Sequence, residues 1–261
     1  MNLFEHGARI LAGTIMGKEI YRVEDDLGVI IVSQRGDRRI LSFDSILEQS
    51  FISMIKPHQL MHEYTQAMLL GLLFNQPSHA TILGLGGGSL AHCLYYHFPR
   101  MEIAVVELRQ SVIDVAYEYF RLPKSPRVIV VQDDASHYLA SADESSTDII
   151  FSDLYKADGM DPLQSQQDFI KQCYRALSDD GWLVLNYHVL PEQESAVMQS
   201  ICSLFVEVYV CETPIGNRIL YCGKRSMMIN RSELSKRAYE LGKLVNNSLS
   251  DYFKRLRRFE C

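Results

Sequence analysis

The stretch AlaThrIleLeuGlyLeuGlyGlyGlySerLeuAlaHisCys, residues 80–93, decides the fold, together with a second apolar run that ends at Glu107. Thr81, Ile82 and Leu83 lead into Gly84, Gly86, Gly87 and Gly88, and helical spacing follows at Leu90, Leu94 and Phe98. The pattern predicts a strand, a tight turn and a helix. Glycines allow positive φ and close approach of a ligand to the backbone, while the start of the helix presents free N–H groups to a polar or anionic ligand. A nucleotide or nucleoside suits such a turn. Glu107 closes the next apolar run, residues 103–106, roughly 20 residues on, where one carboxylate can accept from both hydroxyls of a ribose.

The spacing separates two classes of ligand. A dinucleotide turn reads G-x-G-x-x-G, and counting from Gly84 its sixth position is Ser89. The register that fits is G-x-G-x-G at Gly84, Gly86 and Gly88, which resembles the first motif of S-adenosylmethionine-dependent enzymes. An adenosyl-sulfur ligand is favoured over NAD. Without Glu107, the glycines would read equally well as a close-packed turn.

Beyond Glu107, helices and apolar strands alternate: a helix over 111–120, a strand over 127–131 ending in Gln132, Asp133 and Asp134, a short helix with Tyr138 and Leu139, and a strand over 147–152 ending in Asp153. A helix over 166–177 and a strand over 182–188 follow. This order predicts an α/β fold with a Rossmann-like, doubly wound, mostly parallel sheet. Such sheets bind ligands beyond the carboxyl ends of their strands, where Gly84, Glu107, Asp134 and Asp153 would gather. Each aspartate alone would also serve as a helix N-cap. Strands over 205–210 and 218–222 flank ThrProIleGlyAsn as a hairpin after a helix over 192–204, and residues 231–259 form one or two helices with Lys254, Arg255, Arg257 and Arg258 on a solvated face. At the other end, β runs at 20–23, 29–32 and 39–43 make a meander, and Pro57 and His58 open a helix carrying Leu60, Tyr64, Met68 and Leu72. Three units are expected: a small β domain over 1–56, a nucleoside-binding catalytic domain over 57–230 and a helical tail over 231–261.

A chain of 261 residues that is 47% hydrophobic can bury a full core. Its net charge of -6 gives no reason to expect a nucleic-acid partner. No stretch approaches the roughly 20 apolar residues of a membrane helix, so a cytoplasmic protein is expected. The six cysteines form no C-x-x-C pair and are assigned neither metal nor disulfide. His58 and His62 lack the intervening glutamate of a metal-binding helix, and no metal is expected. The edges of the N-terminal meander need cover, which suggests a homodimer.

From about residue 40 to 222 the chain resembles the spermidine/spermine synthase family. The resemblance rests on ArgIleLeuSerPheAspSer with Gln49 nearby, on Tyr64, on IleLeuGlyLeuGlyGlyGlySer, on ValValGluLeu around Glu107, on AspAspAla at 133–135 and on IlePheSerAspLeu around Asp153. It implies a donor, S-adenosylmethionine or its decarboxylated form, whose group passes from sulfonium to a small-molecule amine. It also implies roles: Glu107 at the ribose, Asp134 at the adenine with Asp133 and Ala135 beside it, Gln49 near the nucleoside, and Asp153 as the catalytic carboxylate. Tyr64 would help Asp153 hold or deprotonate the amine.

The departures fall on one half of this pattern. Ser89 and Lys156 stand where polyamine-making members carry aspartates, Gln66 replaces a carboxylate, and Thr213 replaces a tyrosine. A polyamine site needs carboxylates to offset the desolvation of each ammonium, and Lys156 would repel one. Asp158 and Asp161 lie in a loop that would cover the site as a lid, or would serve only its turns, and His188 ends a strand from which it could reach the cleft or hold a structural hydrogen bond. The expectation is a spermidine synthase-like transferase acting on an acceptor other than an ordinary polyamine. A genuine aminopropyltransferase and a non-catalytic nucleoside-binding protein are the alternatives.

Overall fold

A computed structural model describes residues 17–43, 48–156, 159–227 and 229–261, with the backbone alone at Glu48, Gln49, Lys156 and Gly159. The strand predicted before the glycines is β5 (His79–Leu83), buried from Ala80 onward. Such a run has no polar alternation because a central parallel strand is covered on both faces. On one side β5 pairs in parallel with β6 (Glu102–Glu107), which pairs with β7 (Val128–Gln132). On the other side it pairs in parallel with β8 (Thr147–Ser152), which pairs with β11 (Leu177–Tyr187). The antiparallel hairpin β12 (Glu207–Glu212) and β13 (Arg218–Gly223) extends that side, with β13 inserted next to β11. Outside this sheet, β9 (Tyr155–Lys156) and β10 (Gly159–Met160) pair antiparallel after β8. The chain therefore reverses its direction of travel across the sheet between β5 and β8. That reversal opens a crevice at the carboxyl ends of the strands.

Helices cover both faces. On one face lie α1 (Glu63–Met68) with the 3-10 turn after it, α2 (Ser89–His97), α7 (Arg231–Val245) and α8 (Leu249–Arg255). On the other lie α4 (Ala135–Ser141), α5 (Gln167–Ala176) and α6 (Ala196–Leu204). The remaining helix among the described residues, α3 (Gln110–Tyr119), buries two faces. Ile113 and Ala116 enter the main core, whereas Val112 and Val115 pack with Ile30, Val32, Leu41 and Ile52 of a separate antiparallel sheet. That sheet is the N-terminal meander, β1 (Lys18–Asp25), β2 (Gly28–Arg35), β3 (Arg38–Phe43) and β4 (Glu48–Ser53). β4 escaped the sequence reading because its run, GluGlnSerPheIleSer, carries only two apolar residues.

Three local expectations need correction. The helix predicted from Pro57 begins at Glu63, because the side chains of Gln66 and Asn247 both donate to the Leu60 carbonyl and His62 is extended. Arg257 and Arg258 lie in a short strand, β14 (Arg257–Arg258), paired with the free edge of β12. That pairing returns the chain to α6, where Cys261 is disulfide-bonded to Cys202, against the expectation of no disulfide. The other four cysteines are free and buried.

Gly84 has φ +94°, and a Cβ there would collide with the Asp153 carbonyl oxygen across the junction of β5 and β8. Gly36 has φ +61° in a turn with open space around it. Gly84→Ala should therefore lose about 2–4 kcal/mol in chemical denaturation, against about 1 kcal/mol for Gly36→Ala, where only backbone strain operates. Equal losses would show that the close approach carries no weight.

Candidate active site

A cleft of about 750 Å³ lies at the carboxyl edge of the sheet, at the reversal between β5 and β8. Gly84, Gly86 and Gly88 form its floor, all three with positive φ. Gly88 caps α2 in the left-handed conformation, and Ser89 lines the cleft as the first residue of that helix. Gly87 turns the other way: a Cβ on it would meet Phe120 and Ser50, so its smallness lets the glycine turn pack against the N-terminal sheet.

Glu107, at the end of β6, stands half-buried beside the floor. Its two carboxylate oxygens accept from the amides of Leu85 and Arg109, each at 3.0 Å. Burial pushes the Glu107 carboxyl above its usual range, against those two hydrogen bonds and the charge of Arg109. The carboxylate is thus fixed in orientation by the glycine turn, with lone pairs left for further donors. At the end of β7, Asp133, Asp134 and Ala135 line the same end of the cleft. Asp134 also caps α4, accepting from the amides of Ser136 and His137 at 2.9 and 3.3 Å. Asp133 is bonded to the His137 ring at 2.8 Å. The capping expected of a lone aspartate and the lining of the cleft coexist at one residue.

Asp153, beyond β8, occupies the opposite end. Its Oδ1 accepts from Asn186 Nδ2 at 2.8 Å, and the Tyr64 hydroxyl donates to the same carboxylate. Burial pushes its pKa up to about 6, because both of these hydrogen bonds favour the charged form but neither brings a positive charge. The network continues through neutral groups. Asn217 Nδ2 donates to Asn186 Oδ1 at 3.0 Å, and the Asn186 carbonyl accepts from Tyr155 and Gln164, each at 3.4 Å. Gln164, fully buried, also accepts from the Ser152 hydroxyl at 2.6 Å and so ties the loop after Asp153 to the sheet. His188 is exposed at the rim, its ring 4.8 Å from that of Tyr155.

Tyr64, Glu107, Asp153 and the floor glycines therefore come together as the sequence suggests. Asn186, Asn217 and Tyr155 escaped it. The only signal for Asn186 was a polar residue inside the apolar strand TrpLeuValLeuAsnTyrHis, and Asn217 lies in a hairpin whose return to the cleft no local pattern reveals. His62, also on the cleft wall, accepts from the Phe51 amide through Nε2 at 3.2 Å, and burial pushes its pKa down to about 4. His58 lies outside α1, stacked on Tyr96 at 3.7 Å, so the two histidines do not share a helix face. Asp161 lines the cleft and also caps the 3-10 turn after it by accepting from Leu163 N at 3.0 Å, so the site placement and the turn role coexist. Asp158 and the side chains of Gln49 and Lys156 lie outside the described residues.

Residues 61–218 match the spermine/spermidine synthase domain. A polyamine aminopropyltransferase of Chromobacterium violaceum is 30% identical, over 87% of this chain and 88% of its own. Among solved structures, a probable spermidine synthase of Corynebacterium glutamicum superposes with a TM-score of 0.74 at 23% identity, covering 85% of this chain and 86% of that one. Human methyltransferase-like protein 13, solved in complex with SAH, has the same sheet at a TM-score of 0.59 and 24% identity, covering 77% of this chain and 96% of that one. With the glycine floor, Glu107 and Asp153 in one cleft, the matched span places the chain in the spermine/spermidine synthase family.

Proposed function

We propose that the chain is a transferase that binds an S-adenosylmethionine-type sulfonium, intact or decarboxylated, and passes one group to an amine that is not an ordinary polyamine. The observation that carries this reading is Asp153, a carboxylate tuned to about 6 by burial, in the same cleft as the glycine floor and Glu107. The Chromobacterium relative's name supports amine chemistry. The glycines leave the room that side chains would fill, and Glu107 offers a fixed carboxylate for the ribose hydroxyls.

The donor supplies the leaving group. The amine nitrogen attacks carbon next to sulfur, the C–N bond forms as the C–S bond breaks, and the electron pair returns to sulfur as a neutral thioether. The protein's task is to align the amine and take its proton. Asp153, ionised above about pH 6, accepts the proton that the attacking nitrogen gives up, while Tyr64 and Asn186 hold the carboxylate in place.

The acceptor reading rests on two residues that stand where family members hold polyamine nitrogens. The Gln66 side chain donates to the Leu60 carbonyl at 3.1 Å, and Thr213 is buried with its hydroxyl accepting from Asn217 N at 3.0 Å. Both are spent on the structure, and among the described residues neither lines the cleft. Neither position offers a second ammonium of a bound diamine a carboxylate to offset its desolvation, and such a missing partner disfavours the diamine on the order of a few kcal/mol.

Three outcomes test this. With decarboxylated S-adenosylmethionine or S-adenosylmethionine as donor and a panel of amines, mass spectrometry should detect product from monoamines at rates well above those from putrescine or spermidine; efficient conversion of putrescine would establish an ordinary aminopropyltransferase instead. Asp153→Asn should lower turnover by roughly 10²–10⁴ and remove a break near pH 6 from the wild-type profile. The same variant should raise the melting temperature at pH 7.5 and leave it unchanged below about pH 4. A carboxyl whose folded pKa is raised binds its proton more tightly in the folded state, so wild-type stability falls as pH rises from about 4 to 6.

A further inference from the structure

The turn between β12 and β13 returns to the cleft at Asn217. That residue directly precedes β13, whose Arg218 and Ile219 pair with Tyr187 and Asn186 of β11. The turn is closed on itself. Thr213 N donates to the Asn217 carbonyl at 2.8 Å, Gly216 N donates to the Thr213 carbonyl at 3.0 Å, and the Thr213 hydroxyl accepts from Asn217 N at 3.0 Å. The backbone of Asn217 is thus pinned, and its buried side chain meets the buried side chain of Asn186.

Asn186 lies between a group that needs a donor and a group that supplies one. Its Nδ2 donates to Asp153 Oδ1 at 2.8 Å, and its Oδ1 accepts from Asn217 Nδ2 at 3.0 Å. The two ends of an amide differ in hydrogen-bonding sense and hardly in size, so packing alone does not decide which end faces the carboxylate. Reversed, the Asn186 amide would set its oxygen against the Asp153 carboxylate and its NH2 against that of Asn217, leaving two buried bonds unmade. The Asn217 side chain also bonds the Tyr155 hydroxyl, which donates to the Asn186 carbonyl.

The sense of that amide matters for the proton. An amide free to turn would donate to ionised Asp153 and accept from protonated Asp153, steadying both forms. Held by Asn217, it can only donate, which favours the charged form. The titratable groups on the elements around Asp153 are Tyr64 of α1, Tyr155 beyond β8, Asp161 in the following loop, Glu107 across the glycine turn, His188 with its ring 4.8 Å from that of Tyr155, and His62 with its ring 5.3 Å from that of Tyr64.

We propose that Asn217 is a positioning residue that acts through Asn186: by donating to Oδ1 it keeps the NH2 end of that amide on Asp153, so that the β12–β13 turn holds the carboxylate in its proton-accepting form. The catalytic meaning of this relay rests on the transferase reading, whereas the relay itself operates without a substrate.

The test follows the Asp153 carboxyl directly, by carbon-13 NMR of protein labelled at aspartate, its signal identified by its absence from Asp153→Asn. Asn217→Leu, branched like asparagine but without a donor, should make Asp153 titrate about one pH unit higher than in wild type, the size expected for losing one hydrogen bond to a carboxylate. Asn186→Leu should raise it at least as far, and adding Asn217→Leu to that variant should move it no further, since both changes act through one bond. Asn217→Ser, whose hydroxyl ends one bond short of the amide nitrogen, should shift the titration in the same direction. It carries the test where the leucine variant fails to fold, because the bonds between residues 213 and 217 use only the backbone of Asn217. An unmoved titration in the Asn217 variants would overturn the relay. So would a second shift of equal size in the Asn186→Leu background, which would mark a general change of surroundings. With an amine substrate, the break in the rate profile should move with the NMR titration. A shifted titration beside no turnover of any amine would sink the transferase reading and leave the relay standing.

Discussion

The meeting of two strand ends at Gly84 and Asp153 is the constraint on which the rest of the site depends. Gly84 N donates to the Val106 carbonyl at 2.9 Å, and Asp153 N donates to the Leu83 carbonyl at 2.9 Å, so β5, β6 and β8 are stitched together at the sheet edge. A side chain at Gly84 would push the strands apart where the topology reverses. With hydrogen there, the carboxylate proposed for the ribose and the one proposed for the amine stand in one crevice, the glycine turn between them. Their separation is fixed by sheet geometry instead of by loops.

The two ends of the crevice handle charge differently. Glu107 is held by two backbone amides, with a guanidinium close by; these favour the charged form, and burial outweighs them and raises its pKa. Asp153 is bonded to neutral groups, the Asn186 amide and the Tyr64 phenol, and burial raises its pKa as well. Burial raises both carboxylates, Glu107 against backbone donors and a nearby guanidinium, Asp153 against neutral side-chain donors to about 6, near neutrality. Tyr155 fits this picture, since burial and then the nearby Asp153 charge raise its phenol pKa and keep it a neutral hydrogen-bonding group.

What the sequence made legible was local. The parallel sheet, the glycine turn and the acidic strand ends could be read because each lies within one strand-turn-helix unit, where periodicity and turn chemistry act over a few residues. What escaped was set by contacts distant in sequence. Asn186 gains its meaning from Asp153, 33 positions away, and Asn217 from Asn186, 31 away. The Cys202–Cys261 bond spans 59 positions and depends on β14 folding back along β12. Composition likewise could not reveal that Gln66 and Thr213, which mark the departure from the polyamine pattern, are held in structural hydrogen bonds.

Asp25 draws its partners from both sides of the seam: its own turn on one, and Arg109 and Ser111 at the start of α3 on the other. For protein engineering, the small N-terminal sheet is consequently not an interchangeable module. A chimera that grafts another family member's β meander onto this Rossmann-like body would need a carboxylate in the first turn to meet Arg109. Without one, it would leave a largely buried guanidinium without the carboxylate it is bonded to, so the seam between the two sheets has its own compatibility rule, written in one charge pair.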